Sequence, residues 1–381
     1  MRKVLIFRSD ILPFSETFIQ AQANALETFR PQLIGLSPIP HSLELSPSPI
    51  LLVCDNSPRS RIRRAVYQST GFAPAFHRAA QRTNADIIHA HFAPDGVAAL
   101  PLSRSLKLPL LVTLHGYDVT RADVYARSTL GDQLYLMRRN TLWSKAALFI
   151  CVSTFIRESA LQMGFPPNKL RVHHIGVDTE FFSPAPDGHK REDNVLFVGR
   201  LVEKKGCTHL IKAMALVQRR HPSAQLIVIG DGPDRLSLQR EALKLKLLCR
   251  FLGPQPRHVI RDWLWSTRVF CAPSVTARNG DSEGFGMVFA EAQAVGTPVV
   301  SFYHGGIPEV VCSGQTGLLA QEGDYVSLAD HICRFLEDKT YWEETSHRAM
   351  RWTRERFDLR RQTRQLEDVY LEVLGAVQGW S

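Results

Sequence analysis

Two glutamates, Glu283 and Glu291, flank a Gly-Phe-Gly turn in D-S-E-G-F-G-M-V-F-A-E-A-Q-A-V-G-T-P-V-V (281–300), a stretch otherwise almost entirely apolar. An ionised carboxylate only accepts hydrogen bonds and costs several kcal/mol to bury without partners. Hydroxyls, N–H groups or cations must therefore meet these two, and the paired hydroxyls of a sugar suit a carboxylate well. Gly284 and Gly286, with Phe285 between them, clear side chains from the place where the backbone turns into a helix, so that a polar or anionic ligand can reach free N–H groups. A capped helix with Glu291 in an internal ion pair accounts for the same spacing equally well. A second set is cationic. In G-R-L-V-E-K-K-G (199–206), Arg200 and Lys205 lie between an apolar run and the next helical pattern, where an anionic group is expected to bind. Solvated surface cations are the alternative there. His115 and Asp118, in T-L-H-G-Y-D (113–118), follow another apolar run, a place where a lone histidine is more often structural.

These residues need elements to hold them. β-branched apolar runs at Lys3–Phe7, Gln32–Leu36, Ile50–Cys54, Ile87–His91, Leu110–Leu114 and Leu148–Val152 alternate with helical patterns such as Ser15–Leu26 and Gly96–Leu106. F-F-S-P-A-P-D-G-H-K-R-E-D-N (181–194) then reads as a linker. The alternation resumes with strands expected at Val195–Val198, Gln225–Ile229, Arg250–Leu252, Val269–Ala272 and Pro298–Ser301. Helices are expected up to about Arg219, from Asp234 and from about Phe285, and one or two charged helices close the chain. Alternating strands and helices imply an α/β fold of two doubly wound parallel sheets, with ligands beyond the carboxyl ends of the strands. The expected domains are 1–185 and 186–350, with 351–381 packing back across the first. All the candidate residues except Glu291 fall at strand ends or helix starts.

A chain of 381 residues exceeds what one core usually serves, so two domains and a cleft between them are expected. The 7 cysteines (54, 151, 207, 249, 271, 312 and 333) form no C-x-x-C pair, which argues against a disulfide framework and a zinc site and fits a reducing compartment. The run Val4–Phe7 is too short for a signal peptide and no run reaches the ~18 residues of a membrane span, so a cytoplasmic location is expected. A net charge of +9 points to an anionic partner: nucleic acid, phosphorylated ligand or membrane face. No helix-turn-helix, zinc or RNP-like pattern supports the first of these.

The stretch E-G-F-G-x-x-x-x-E resembles the E-x7-E signature of the retaining glycosyltransferases of family 4, which have the GT-B fold of two Rossmann-like domains facing a central cleft. T-L-H-G-Y-D (113–118), H-H-I-G-V-D-T-E-F-F-S-P (173–184), F-V-G-R-L-V-E-K-K-G (197–206), V-I-G-D-G-P (228–233) and G-G-I-P-E-V-V (305–311) agree with it in order. The resemblance implies a hexosyltransferase that takes its sugar from a nucleoside diphosphate. Glu291 would then bind the ribose hydroxyls, and Glu283 the donor-sugar hydroxyls near C3 and C4. Arg200 and Lys205 would neutralise the departing diphosphate, with Lys204 as the alternative to Lys205. His115 would contact the 6-hydroxyl region of the transferred sugar, and Asp118 would orient its loop. Gly284, Phe285 and Gly286 would complete the donor site. The implied mechanism is a front-face displacement in which the leaving phosphate helps deprotonate the acceptor, with no cofactor and no metal. Asp231 reads as a turn residue.

The chain departs from the family after its first strand. Where many members have a Gly-Gly loop, it has S-D-I-L-P-F-S-E-T-F-I (9–19), in which Ser15, Glu16 and Thr17 start a helix and can serve either the donor phosphate or ordinary capping. That variant resembles transferases of bacterial exopolysaccharide assembly, including the colanic-acid type. The basic segment 57–82, with Ile62, Val66, Tyr67, Phe72 and Phe76 interspersed, suits an anionic membrane surface, as it suits a solvated helix packed by one side. A glycan or polyprenyl-diphosphate-linked acceptor at the inner face of the cytoplasmic membrane follows from the first reading. A GT-B sugar-nucleotide epimerase and a transferase making a small soluble glycoside remain alternatives.

Overall fold

The computed structural model describes residues 1–11, 16–38, 49–52, 57–123, 129–186 and 188–378. They form two compact units: Met1–Gly176 together with Leu359–Ser381, and Val177–Asp358.

The first unit carries strands β1 (Arg2–Ile11), β2 (Phe29–Pro38), β3 (Ile50–Leu51), β4 (Ile87–His91), β5 (Leu110–Leu114), β6 (Leu148–Cys151) and β7 (Leu170–Val172). Its helices are α1 (Thr17–Asn24), α2 (Pro58–Thr70), α3 (Pro74–Gln81), α4 (Ala93–Leu106), α5 (Tyr117–Thr120), α6 (Leu130–Lys145) and α7 (Thr154–Met163). The second unit has β8 (Glu192–Val198), β9 (Gln225–Ile229), β10 (Cys249–Gly253), β11 (Thr267–Cys271), β12 (Val299–Phe302) and β13 (Gly317–Ala320). Its helices are α8 (Cys207–Arg220), α9 (Arg235–Lys244), α10 (Arg257–Ser266), α11 (Met287–Ala294), α12 (Ile307–Val310), α13 (Tyr325–Glu337) and α14 (Lys339–Phe357). A last helix, α15 (Leu359–Gln378), belongs to the first unit again.

Both sheets are parallel throughout, in the orders β3-β2-β1-β4-β5-β6-β7 and β10-β9-β8-β11-β12-β13. In each, the first strand lies centrally and the winding reverses beside it, between β1 and β4 and between β8 and β11. The crevice at such a reversal is where open α/β sheets take ligands. Central strands are covered on both faces, which is why they read as continuous apolar runs: every residue of β4 and β5 is buried. Both of these strands, and β9, have the bounds expected from the sequence.

The differences lie at the ends and edges. β1 runs on to Ile11 because Arg8, a poor strand-core residue by type, is buried in an ion pair. β8 starts at Glu192, inside the expected linker, since pairing of Asn194 with Gln225 and Glu192 with Thr267 needs only backbone. The edge strands β7 and β13 were not anticipated; none of the three residues of β7 is fully buried, so it has no apolar run. The first change of unit comes at Gly176–Val177 instead of 185/186, and the second at Asp358–Leu359 instead of 350/351, because α14 runs unbroken to Phe357. At the crossings the chain is closely packed within each unit. The Val177 N–H donates to the Phe357 carbonyl at 2.7 Å, and a Cβ on Gly176 would come within 2.5 Å of Leu359 Cα. α15 closes the first unit's core with Leu366, Val369, Tyr370 and Leu374, packed with Val4, Ile6 and Phe29.

Candidate active site

In the second unit the loops after β8 and β11 interlock. Gly206, at φ +64, heads α8, and a Cβ there would lie 1.7 Å from the Pro273 carbonyl oxygen, so only glycine allows this approach. The Val275 N–H donates to the Lys204 carbonyl at 2.8 Å. This brings the two lysines of the β8 loop against the acids of the β11 loop. Lys204 Nζ donates to Asp281 Oδ1 at 2.8 Å, and Lys205 Nζ donates to Glu283 Oε2. Burial by itself would raise the Glu283 carboxyl, but Lys205 and Lys204 outweigh it and hold the group at about 2. Arg200 is exposed and has no ion pair among the described residues. Two lysine–carboxylate pairs thus meet where the loops after β8 and β11 join, and Arg200 stands exposed in the same β8 loop.

His304, which the sequence reading passed over, fixes Glu283 from behind. Its Nε2 accepts from the Glu283 N–H at 3.3 Å while Nδ1 lies 2.8 Å from Glu322 Oε2, so the proton sits on Nδ1. Gly305 at φ +55 lets the next turn reach the Glu283 carbonyl, which accepts from Gly306 N–H at 3.0 Å. The place of His304 immediately before G-G-I-P was the only signal for it, and nothing in spacing says that this loop returns to Glu283. Gly284, Phe285 and Gly286 are buried in the same turn; Phe285 stands edge-on to Phe357 at 5.4 Å, and Gly286 heads α11 at φ +82. Glu291 projects from α11, half-buried, and no described side chain hydrogen-bonds to it. Burial pushes its carboxyl up to about 7, against the pull of Arg257. Asp231 is a turn residue, accepting from the Gly232 N–H at 2.8 Å.

In the first unit, His115 follows β5 and Asp118 opens α5. The Asp118 carboxylate accepts from the N–H groups of Ala93, His115 and Gly116 at 3.0, 3.2 and 2.9 Å, tying the ends of β4 and β5 together. Burial still raises it to about 6. His115 Nε2 lies 3.0 Å from Nδ1 of His91, whose ring in turn stacks on His89. Burial, then the Arg8 charge, pushes His115 well below the ordinary histidine value. Ser15 lies outside the described residues. Its neighbour Glu16, just before α1, takes both Nε and Nη2 of buried Arg8 at 2.7 and 2.5 Å, and Arg8 Nη1 donates to Asp95 Oδ2. The start of α1 therefore already carries a committed carboxylate.

One group of His, Cys and acid side chains among the described residues brings its ligand atoms within 4.8 Å of one another: His221, Cys333 and Glu337. Its carboxylate is taken by Arg220 at 2.9 and 3.2 Å and by His221 at 2.8 Å. It lies at the end of α8 opposite the lysine loop, about 20 Å along a helix of this length.

Residues 15–181 match the Glycosyltransferase Family 4 family, and residues 178–356 match Glycosyl transferases group 1. The chain is 29% identical over 312 residues to WcaL of Salmonella typhimurium, named as a colanic acid biosynthesis glycosyltransferase, covering 74% of this chain and 75% of that one. It is 32% identical over 256 residues to the amylovoran biosynthesis glycosyltransferase AmsK of Erwinia amylovora, covering 66% of this chain and only 61% of AmsK. Anabaena HepE, solved in complex with UDP and glucose, superposes with a TM-score of 0.77 at 21% identity over 97% of this chain and 99% of its own. At that identity the likeness speaks for the fold, which is GT-B. With the two matches adjoining in order along the chain, the protein consists of a Glycosyltransferase Family 4 domain followed by a group 1 glycosyl transferase domain.

Proposed function

We propose that the protein transfers a hexose, with retention of configuration, from a nucleoside-diphosphate sugar to a hydroxyl of a glycan or lipid-linked glycan during exopolysaccharide assembly. The observation that carries this reading is the Lys205–Glu283 pair, with exposed Arg200 in the same loop. A cation for a phosphate and a carboxylate for a hydroxyl are in direct contact, as a ligand with a diphosphate next to a sugar requires. In this reading Arg200 and Lys205 take up the negative charge that grows on the leaving diphosphate, which stabilises the transition state more than the ground state. Glu283 releases Lys205 to the phosphate and accepts from the sugar hydroxyls, its backbone held by His304. Glu291 accepts from the ribose, and His115 contacts the sugar near C6. The leaving phosphate assists deprotonation of the acceptor. The cationic pair does the work of a metal, so activity is expected to persist in excess EDTA; loss on chelation with recovery in magnesium or manganese would overturn this part.

The relatives named for colanic acid and amylovoran biosynthesis support the assignment to polysaccharide assembly, and the nucleotide bound in HepE supports the donor class. No helix among the described residues is long and apolar enough to cross a membrane. α2 instead carries exposed Ile62 (63%) and Val66 (41%), followed by Phe72 (68%), among exposed Arg59, Arg61 and Arg63, a face suited to peripheral contact with an anionic bilayer at the cytoplasmic side.

The test is incubation with α-linked UDP-, GDP- and ADP-hexoses and a polyprenyl-diphosphate-linked oligosaccharide, with the product's anomeric proton read by NMR. An α-linked product is expected. A β-linked one would overturn retention, and a C2-inverted sugar nucleotide without transfer would point to an epimerase.

A further inference from the structure

His91 closes β4 and His115 follows β5, on adjacent strands in which His91 stands opposite Thr113. Their rings are stacked at 5.2 Å with an interplanar angle of 24°, and Nδ1 of His91 lies 3.0 Å from Nε2 of His115. His91 is 1% exposed, and its Nε2 is buried without a hydrogen-bond partner. Behind it, His89 is clamped at 2.6 Å by the Tyr370 hydroxyl and at 2.6 Å by Thr113 Oγ1, and stacks on His91 at 4.5 Å. The pile of rings is therefore rigid. Burial and the Arg8 charge keep both His91 and His115 neutral, so a single proton lies between them.

That proton has two places to be. If His115 Nε2 carried it, His91 would hold its own proton on Nε2, where a buried N–H would have no acceptor. If His91 Nδ1 carries it, the orphan Nε2 is a bare lone pair. Buried N–H groups without acceptors are rarer in folded proteins than under-used acceptors. We propose that His91 is a positioning residue whose Nδ1–H donates to His115 Nε2, fixing His115 as the Nδ1–H tautomer. His115 then presents a hydrogen-bond donor to an oxygen of its ligand and cannot serve there as a base. No described residue partners that Nδ1, and half-buried His115 is otherwise held by Phe92 and Phe18 at ring distances of 4.5 and 5.2 Å.

The tautomer stands on its own; its effect on turnover rests on the proposed contact of His115 with the transferred sugar. The full chain labelled with ¹⁵N-histidine has 14 imidazoles, and difference spectra from H91N and H115N assign the two of interest. Two-bond ¹H–¹⁵N correlation at neutral pH is expected to show a protonated Nδ1 and a bare Nε2 on both His91 and His115. A protonated Nε2 on His115 overturns the proposal. In kinetics, H91L is expected to lower turnover about tenfold with nucleotide affinity unchanged, while H91N, whose amide N–H falls near the place of Nδ1–H, restores most of it. Equal loss in H91L and H91N at equal thermal stability would refute the positioning role. If the wild type transfers no sugar at all, the functional reading fails while the spectrum still decides the tautomer.

Discussion

At Glu283 and Glu291 one functional group meets opposite surroundings. Glu283 is held at about 2 by two lysines, and Glu291 is pushed up to about 7 by burial with only Arg257 opposing. A carboxyl raised from 4.5 to about 7 binds more protons folded than unfolded between those values, so Glu291 lowers stability as pH rises across that window. The full effect above pH 7 is at most about 3 kcal/mol. Glu291→Gln should therefore melt higher than the wild type at pH 8 and no differently at pH 4, while binding the nucleoside diphosphate more weakly in titration. A lower melting temperature at pH 8 would contradict this account. Glu283 has the reverse sign. Its stabilisation is present above pH 4.5 and lost as pH falls towards 2. Glu283→Gln should leave nucleotide affinity nearly unchanged and lower the transfer rate. Arg200 and Lys205 also differ, although the sequence presents them as equivalents. Removing Arg200, exposed and without an ion pair among the described residues, should change stability by less than about 0.5 kcal/mol yet cost ten- to a hundredfold in turnover. Lys205→Ala should cost as much turnover and about 2–4 kcal/mol of stability besides, since it strands a buried carboxylate. Chemical denaturation and kinetics on both variants check the contrast, and equal stability losses would refute it.

At the scale of elements, α2 is the one whose outward face calls for a test. Substituting Ile62 and Phe72 by Ser is expected to abolish sedimentation with vesicles containing phosphatidylglycerol without changing the melting temperature, because both side chains are largely exposed. Unchanged vesicle binding would leave α2 a plain solvated helix. How far each element could be read beforehand follows from what pays for its burial. β4, β5 and β9 are buried along almost their whole length and were visible to the residue; β7 is held at a sheet edge by backbone pairing, which leaves no period in the sequence, and β13, though largely buried, is only four residues long and opens on a glycine. The same division holds for the site. Lysines, arginine and glutamates announce their chemistry by type and motif. His304, His91 and the Arg8–Glu16–Asp95 cluster act through partners brought from distant parts of the chain, and only the fold brings those together.

For the molecule as a whole, the net charge of +9 is unevenly used. At the winding reversal of the second sheet two lysines each have a carboxylate partner and Arg200 stands exposed in the same loop, whereas at that of the first a single guanidinium serves two carboxylates, which disfavours an anion. The chain enters the second unit after Gly176 and leaves it before Leu359, two residues that already touch. In covalent terms, residues 177–358 are thus a cassette written into the middle of another domain, with its two seams side by side. Such an insertion can be cut out. A chain running from residue 176 through a short Gly-Ser bridge to residue 359 is expected to fold cooperatively, because its sheet and α15 are complete without the insert. The excised 177–358 fragment is expected to retain nucleoside-diphosphate binding in a thermal-shift titration while transferring no sugar. Failure of both pieces to fold would mean that the seams bear on stability despite their closeness. Success would make residues 177–358 exchangeable between relatives by a single in-frame swap.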